Sequence, residues 1–480
     1  TSRRQRHICI RDRYNLLAGS IALLSFLNSA LSISAQRFFS IAIGSKKENL
    51  LKQYFCGSFL IHIILTLILI LILTLIQPYL FRFVLNIEES KIHVAVLIYY
   101  IMVTSSALIL LGVPFAALMN AFEDISIISY ITILSYVIRL GGGIILLFID
   151  SHKLVVYSMT MLLSVVFLVI IEVWWCRTKY SKITIWDRTK INKEDCLKLA
   201  KFAAWNTFGA SSILIRDQGV AVTLNYYFGT ILNAAYGIAI QVNSLVLSFA
   251  GNLTMVFAPA IIQAKGAENH LRMIKLAIFS SKISFILSCC MGLPLLLFLH
   301  EVLELWLNEI PPYTEIFCKY LIFGFIIQQL YPGINRMIYA MGKIKAYQIS
   351  LFLIYTSVIP VGIILFKIGY SPVSIIVSTV IGQIGVLFST LVFSIKYCNL
   401  SIKDMMVHSI IIPTAVFLLI YTLLSLLLTK TYTIIEVILY SIIIIIIWGG
   451  TAYKFILSKD EQSMLKNLYN ILKSKISCRL

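Results

Sequence analysis

Apolar runs long enough to cross a bilayer recur from one end of this chain to the other, separated by short polar, charged or Gly/Pro-containing breaks. An α-helix needs about 20 such residues to cross about 30 Å of hydrocarbon. The runs predict spans at 15–43, 54–77, 93–118, 126–149, 154–175, 201–226, 231–258, 276–299, 314–338, 348–366, 371–395, 405–428 and 433–457. A β-barrel would instead show alternating segments of about ten residues. The pattern therefore predicts an all-α polytopic membrane protein with about 13 spans.

Composition agrees. Of 480 residues, 59% are hydrophobic and only 13% charged, whereas a soluble domain carries about 25% charge to cover its water-facing surface. The excess of +19 matters by its placement, as a guide to topology rather than a sign of nucleic-acid binding. Alternate loops hold 23 and five Lys and Arg respectively. By the positive-inside rule the richer set, which includes Arg177 to Lys201 and the tail from Lys459, faces the cytoplasm. The C-terminus is thus expected to be cytoplasmic.

The start disagrees with that count. Arg3, Arg4, Arg6, Arg11 and Arg13 fall on the opposite side when the number of spans is odd, and the first residue is Thr1. A first helix missing or altered upstream of residue 14, out of an intact fourteen, reconciles the two. As a signal peptide, residues 1–35 would have too long an apolar part and no clear cleavage signal.

Internal repetition suggests two lobes, as in many transporters. Ser25-Phe26 leads through LNSALSISAQRFFSIAI to Gly44 and a polar turn. Ser248-Phe249 leads through AGNLTMVFAPAIIQAK to Gly266 and another, with a spacing one residue different. The expected organisation is an N-terminal lobe over 1–175, a cytoplasmic interlobe linker over 176–198 and a C-terminal lobe over 199–395. Two additional helices over 396–457 and a basic tail over 458–480 complete it. The linker is expected to be in part an amphipathic helix lying on the membrane.

Charged side chains are costly near the middle of a span and persist where they face a wet cavity or a partner. Arg139 and Arg216 are the deepest. Arg37, Lys282 and Arg336 lie nearer helix ends, where snorkelling to headgroups is the alternative. Asp217 is the one clearly central acid and has two readings, a counter-ion to Arg216 or a group that gains and loses a proton; Glu172 lies at an inner edge. The amides Asn28, Gln36, Asn206, Gln218, Asn225, Asn243 and Asn252 also fall inside spans, to join helices or to meet sugar hydroxyls.

Several chemistries lack their signatures. Nine cysteines show no CxxC spacing and read as small core hydrophobes. Seven histidines include no HxxxH or HExxH pair, so no metal and no cofactor are expected. There is no phosphate-binding G-x-x-x-x-G-K-[ST] loop and no G-x-S-x-G element. Gly141-Gly142-Gly143 reads as close helix packing.

Seven segments together carry a resemblance: SFLNSALSISAQRFFSIAIG at 25–44, PFAALMNAFEDI at 114–125, FAAWNTFGA at 202–210, NAAYGIAIQVNS at 233–244, FAPAIIQA at 257–264, LWLNEIPPYT at 305–314 and AMGKIKAYQIS at 340–350. In their order the chain resembles Wzx-type polysaccharide flippases, a branch of the superfamily that also holds the multidrug and toxin exporters. The resemblance extends from Tyr14 onward and implies two six-helix lobes around a central cavity plus two C-terminal helices. It implies a non-enzyme that moves polyprenyl-pyrophosphate-linked oligosaccharide across the bacterial inner membrane by alternating access. A proton or sodium gradient is the candidate energy source, and a polysaccharide polymerase and assembly proteins are candidate partners. The family's first helix has no counterpart in TSRRQRHICIRDR.

An anionic pyrophosphate favours fixed cations in a low-dielectric cavity. Arg37, Arg139, Arg216 and Lys282 are the expected phosphate contacts, with Gln36, Asn28, Asn225 and Gln218 for sugar and Asp217 for ion coupling. A cation-coupled multidrug antiporter on the same fold is the alternative; it would favour acidic residues deep in the lobes. A multispanning polysaccharide polymerase would need a sizeable outer loop, and the longest, near 78–92 and 300–313, are modest.

Overall fold

The computed structural model describes residues 25–84, 92–149, 153–307, 309–398, 407–428, 432–463 and 466. Among them the regular elements are all helical. In order they are α1 (Ser25–Gly44), α2 (Glu48–Tyr79), α3 (Ile92–Ala121), α4 (Ile125–Phe148), α5 (Lys153–Lys179), α6 (Ser181–Thr184), α7 (Lys193–Phe228) and α8 (Thr230–Gly266). They continue with α9 (His270–Leu297), α10 (Leu299–Trp306), α11 (Thr314–Gln328), α12 (Pro332–Met341), α13 (Lys345–Ile368), α14 (Val373–Cys398), α15 (Ile412–Leu427) and α16 (Ile434–Phe455). Nine helices among the described residues are long and apolar enough to cross a membrane. Large apolar side chains cover their outer faces: Leu67, Leu71 and Leu75 on α2, and Ile435, Ile438 and Ile446 on α16, are each more than half exposed. Such faces suit lipid, and helices satisfy every backbone group internally there. This is an all-α, multi-pass membrane protein.

Packing divides the chain into two units. One holds the described residues up to Ala210 together with Gly266–Glu268; the other holds Ser211–Lys265 and the described residues from Asn269 onward. This division follows contacts, whereas the lobes read from repetition follow sequence likeness.

In the first unit α3 packs along α5, α1 and α2, and α4 packs along α5. Phe39, Phe55, Phe115, Leu118 and Met119 fill the core, with the Phe55 and Phe115 rings edge to face at 5.4 Å. Of the three consecutive glycines in α4, only Gly142 makes a close approach: a Cβ there would lie 1.9 Å from Thr160 Cγ2 on α5, whereas Gly141 and Gly143 face open space. In the second unit α14 packs on α13, α11 and α12, and α9 packs on α12 and α16. The indole of Trp448, fully buried, donates across to the Ile286 carbonyl at 2.8 Å.

Three expectations are corrected. The span read at 314–338 is two helices, because Pro332 supplies no N–H and disfavours helical backbone at Tyr331 (φ −130°, ψ 11°). Proline then fits the first turn of α12. The stretch at 300–313, read as an outer loop, begins as the helix α10, which runs to Trp306. Within 176–198, where part of the linker is expected to be one amphipathic surface helix, the chain forms the end of α5, the single turn α6, a 3-10 turn at Arg188–Lys190 and the first residues of α7. Lys52 pairs with Asp187 at 3.4 Å, and α6 packs on α2. The expected missing or altered first helix falls outside the described residues, as does most of the basic tail.

Candidate functional site

In the first unit Arg37 occupies the third turn from the end of α1, where Ala35, Phe38 and Phe39 make the surrounding helix face apolar. Its guanidinium carbon lies 4.7 Å from the ring centroids of both Phe38 and Phe202. Two aromatic faces therefore hold a cation that is only 9% exposed. Gln36 is buried beside it and Asn28 is partly buried. One turn away Ser34 donates to the Leu199 carbonyl, and two turns away the Ala30 carbonyl accepts from Asn206, the helix-joining use of polar groups.

Arg139 is placed by the α4–α5 contact. Its Nε donates to Ser164 Oγ at 2.9 Å, and its guanidinium lies 5.5 Å from the Tyr136 ring. The residue is partly buried. Arg37 and Arg139 thus have separate surroundings within this unit.

The second unit gathers a denser polar cluster. Arg216 Nε donates to Asp217 Oδ1 at 2.8 Å and its Nη2 lies 2.7 Å from the same oxygen. Consecutive helical positions point about 100° apart, yet the length of the arginine lets it fold back. The guanidinium also sits 4.8 Å from the Tyr355 ring on α13. Tyr355 donates to Gln383 Oε1 on α14 at 3.2 Å, and Tyr331, just before α12, donates to the same oxygen at 3.5 Å. Tyr355, Tyr331, Gln383 and Arg216 are all buried, and Arg216 Nη1 has no hydrogen-bond partner among the described residues.

Gln218 and Asn225 follow on the same helix but are exposed, outside this cluster. Lys282 has its own acidic partner, Glu461, at 2.9 Å. The sequence reading missed Tyr331, Tyr355 and Gln383. The available signal was Gln383 itself, an amide within the apolar run 371–395.

A further polar centre lies between α3 and α4, inside the segment PFAALMNAFEDI. Asp124 accepts from Tyr180 Oη at 2.6 Å, Trp175 Nε1 at 3.0 Å and Lys179 Nζ at 2.5 Å. Partial burial acts to raise the carboxyl, but these donors outweigh it and hold Asp124 below the usual carboxylate range. No group of His, Cys, Asp and Glu among the described residues is arranged to hold a metal ion.

No protein-family profile and no curated protein matches the chain. Solved structures do. A multidrug resistance MATE family transporter of the MOP superfamily in its outward-facing conformation superposes with TM-score 0.71 at 13% identity, covering 80% of this chain and 88% of that one. A MOP superfamily transporter from Pyrococcus furiosus, described by a reverse polarity of its binding pocket that suggests a different function, gives 0.71 at 13%, over 81% and 88%. A MATE structure in the bent conformation gives 0.68 at 14%, over 78% and 86%. The fold of this chain is thus the MATE-like polytopic all-α fold.

Proposed function

We propose that this chain is a membrane transporter that flips polyprenyl-pyrophosphate-linked oligosaccharide across the bacterial inner membrane by alternating access. The observation that carries the reading is the buried Arg216 guanidinium, held by Asp217 and Tyr355 with one amino group left without a hydrogen-bond partner among the described residues. A donor of that kind in a low-dielectric interior suits an anionic oxygen such as a phosphate. Arg37, between two aromatic rings, is a second buried guanidinium. In this reading Arg139 and Lys282 assist, and Asn28, Gln36, Gln218 and Asn225 meet sugar hydroxyls as the helices rearrange.

The transporters of the same fold support movement of a substrate across a membrane. The reversed pocket polarity named for the Pyrococcus furiosus transporter supports variation of substrate charge on one scaffold. A proton or sodium gradient supplies the energy in this proposal. Glycan polymerase and assembly proteins are its partners, and the C-terminus faces the cytoplasm.

The test is complementation of a bacterium lacking its own polysaccharide flippase, with surface glycan and protein level both measured. Restored glycan that is lost again in R216Q supports the proposal. An accumulated chain that restores no glycan but lowers cellular uptake of a cationic dye would replace it with the antiporter on the same fold.

A further inference from the structure

Glu172 lies within α5 and is only 7% exposed. Among the described residues it makes no hydrogen bond and no ion pair, unlike Asp124, Asp217 and Glu461, each of which holds a cation. A carboxylate this deeply buried without a cation is costly, whereas the neutral acid has one O–H to give. An ionisable group kept in a membrane helix under those conditions calls for a function.

The facing helix comes close to this acid. A Cβ at Gly112 of α3 would lie 3.7 Å from Glu172 Oε2 and 3.1 Å from Val169, so the carboxyl rests against the α3 backbone where no side chain intervenes. One turn along the same face of α5, the Cys176 thiol donates to the Phe115 carbonyl of α3 at 3.6 Å. The α3–α5 contact thus already pairs a side-chain donor with an α3 carbonyl.

The charged and titratable groups around this contact are few. On α5 the neighbour is Cys176; Lys179 is engaged with Asp124. The charged residue of α4 is Arg139, which donates to Ser164 two turns earlier. On α3 the titratable residues are His93, Tyr99 and Tyr100, all near its start, and α6 carries Lys182.

We infer that Glu172 is a proton-binding site: enclosed against Gly112 of α3 it is a neutral acid, and it releases its proton to water when α3 and α5 separate. Proton binding joins H⁺ to one carboxylate oxygen; release returns it to solvent, with no other bond made or broken. Coupling of this site to substrate movement rests on the transporter reading. The protonated state does not.

The experiment is infrared difference spectroscopy of the full chain in lipid vesicles at neutral pH, recorded in H₂O and D₂O. The expected result is the carbonyl stretch of a buried protonated carboxyl, shifted by deuterium. It should be absent in E172Q and retained in E304Q, whose glutamate is exposed. If E172Q does not accumulate folded, E172D must move the band, since it keeps the acid on a shorter stem. No such band in the unsubstituted chain, or a band untouched by changes at Glu172, overturns the inference. A failed glycan assay leaves this result standing, so the two ideas fall separately.

Discussion

Lys282 and Glu461 are 179 positions apart in the chain, yet the ammonium and carboxylate lie 2.9 Å from each other with side-chain exposures of 4% and 12%. Glu461 also accepts from the Ser458 backbone N–H, closing a turn just after α16. The pair fastens that turn to the middle of α9.

Removing one partner strands the other as a buried charge, which typically costs about 3–5 kcal/mol. K282M or E461Q alone is therefore expected to lower the unfolding temperature in detergent clearly. The double variant K282M/E461L, which leaves no charge behind, should recover most of the loss. Equal destabilisation of single and double variants would show that the pair itself, and not the stranded charge, dominates.

Gly333 tests backbone approach. A Cβ there would fall 2.1 Å from the Ala277 carbonyl oxygen, a backbone atom that cannot swing aside. G333A should destabilise by about 1–3 kcal/mol through overpacking. G449A on α16 meets nothing within 4 Å and should be neutral or stabilising, because alanine suits a helix interior better than glycine by roughly 0.5–1 kcal/mol. Thermal scans of the two variants side by side decide it.

Arg216 should not tolerate lysine. The guanidinium bonds Asp217 through two nitrogens and stacks on Tyr355, and an ammonium reproduces neither the fork nor the flat face. R216K is expected to lose most glycan display in the complementation assay while its protein level stays near normal. Display undiminished in R216K would reduce the site to a simple need for positive charge.

Asp124 predicts a dependence on pH. Its folded-state value lies below the usual carboxylate range, so the unfolded chain takes up a proton first as pH falls. The stabilisation from Trp175, Lys179 and Tyr180 is complete above the ordinary aspartate value of about 3.9 and disappears as pH drops through the lowered one. D124N should lower the unfolding temperature at neutral pH, and its difference from the unsubstituted chain should shrink in acid. A difference constant down to the strongest acid the fold withstands would contradict an ionic role.

The helical class was plain in the sequence, because a bilayer imposes one length and one polarity on every crossing segment. Where side chains alone decide, the reading was less complete. Proline at 332 was visible, but hydropathy runs straight through it, and 314–338 read as one span although the backbone breaks at Tyr331. The neighbourhood of Arg216 and Asp217 announced itself by cost. Tyr331, Tyr355 and Gln383 did not, since they converge from different helices and tyrosine is unremarkable in an apolar run. Lys282 stood out for the same reason of cost, while its partner lay far along the chain in what read as a basic tail.

Adjacent opposite charges at Arg216 and Asp217 have an electrical consequence. One elementary charge crossing the full membrane potential exchanges about 2.3 kcal/mol per 100 mV. A guanidinium and a carboxylate bound to each other on consecutive residues move as a neutral dipole. Displacement of that stretch of α7 therefore transfers no net charge through the field, and voltage neither drives nor opposes it.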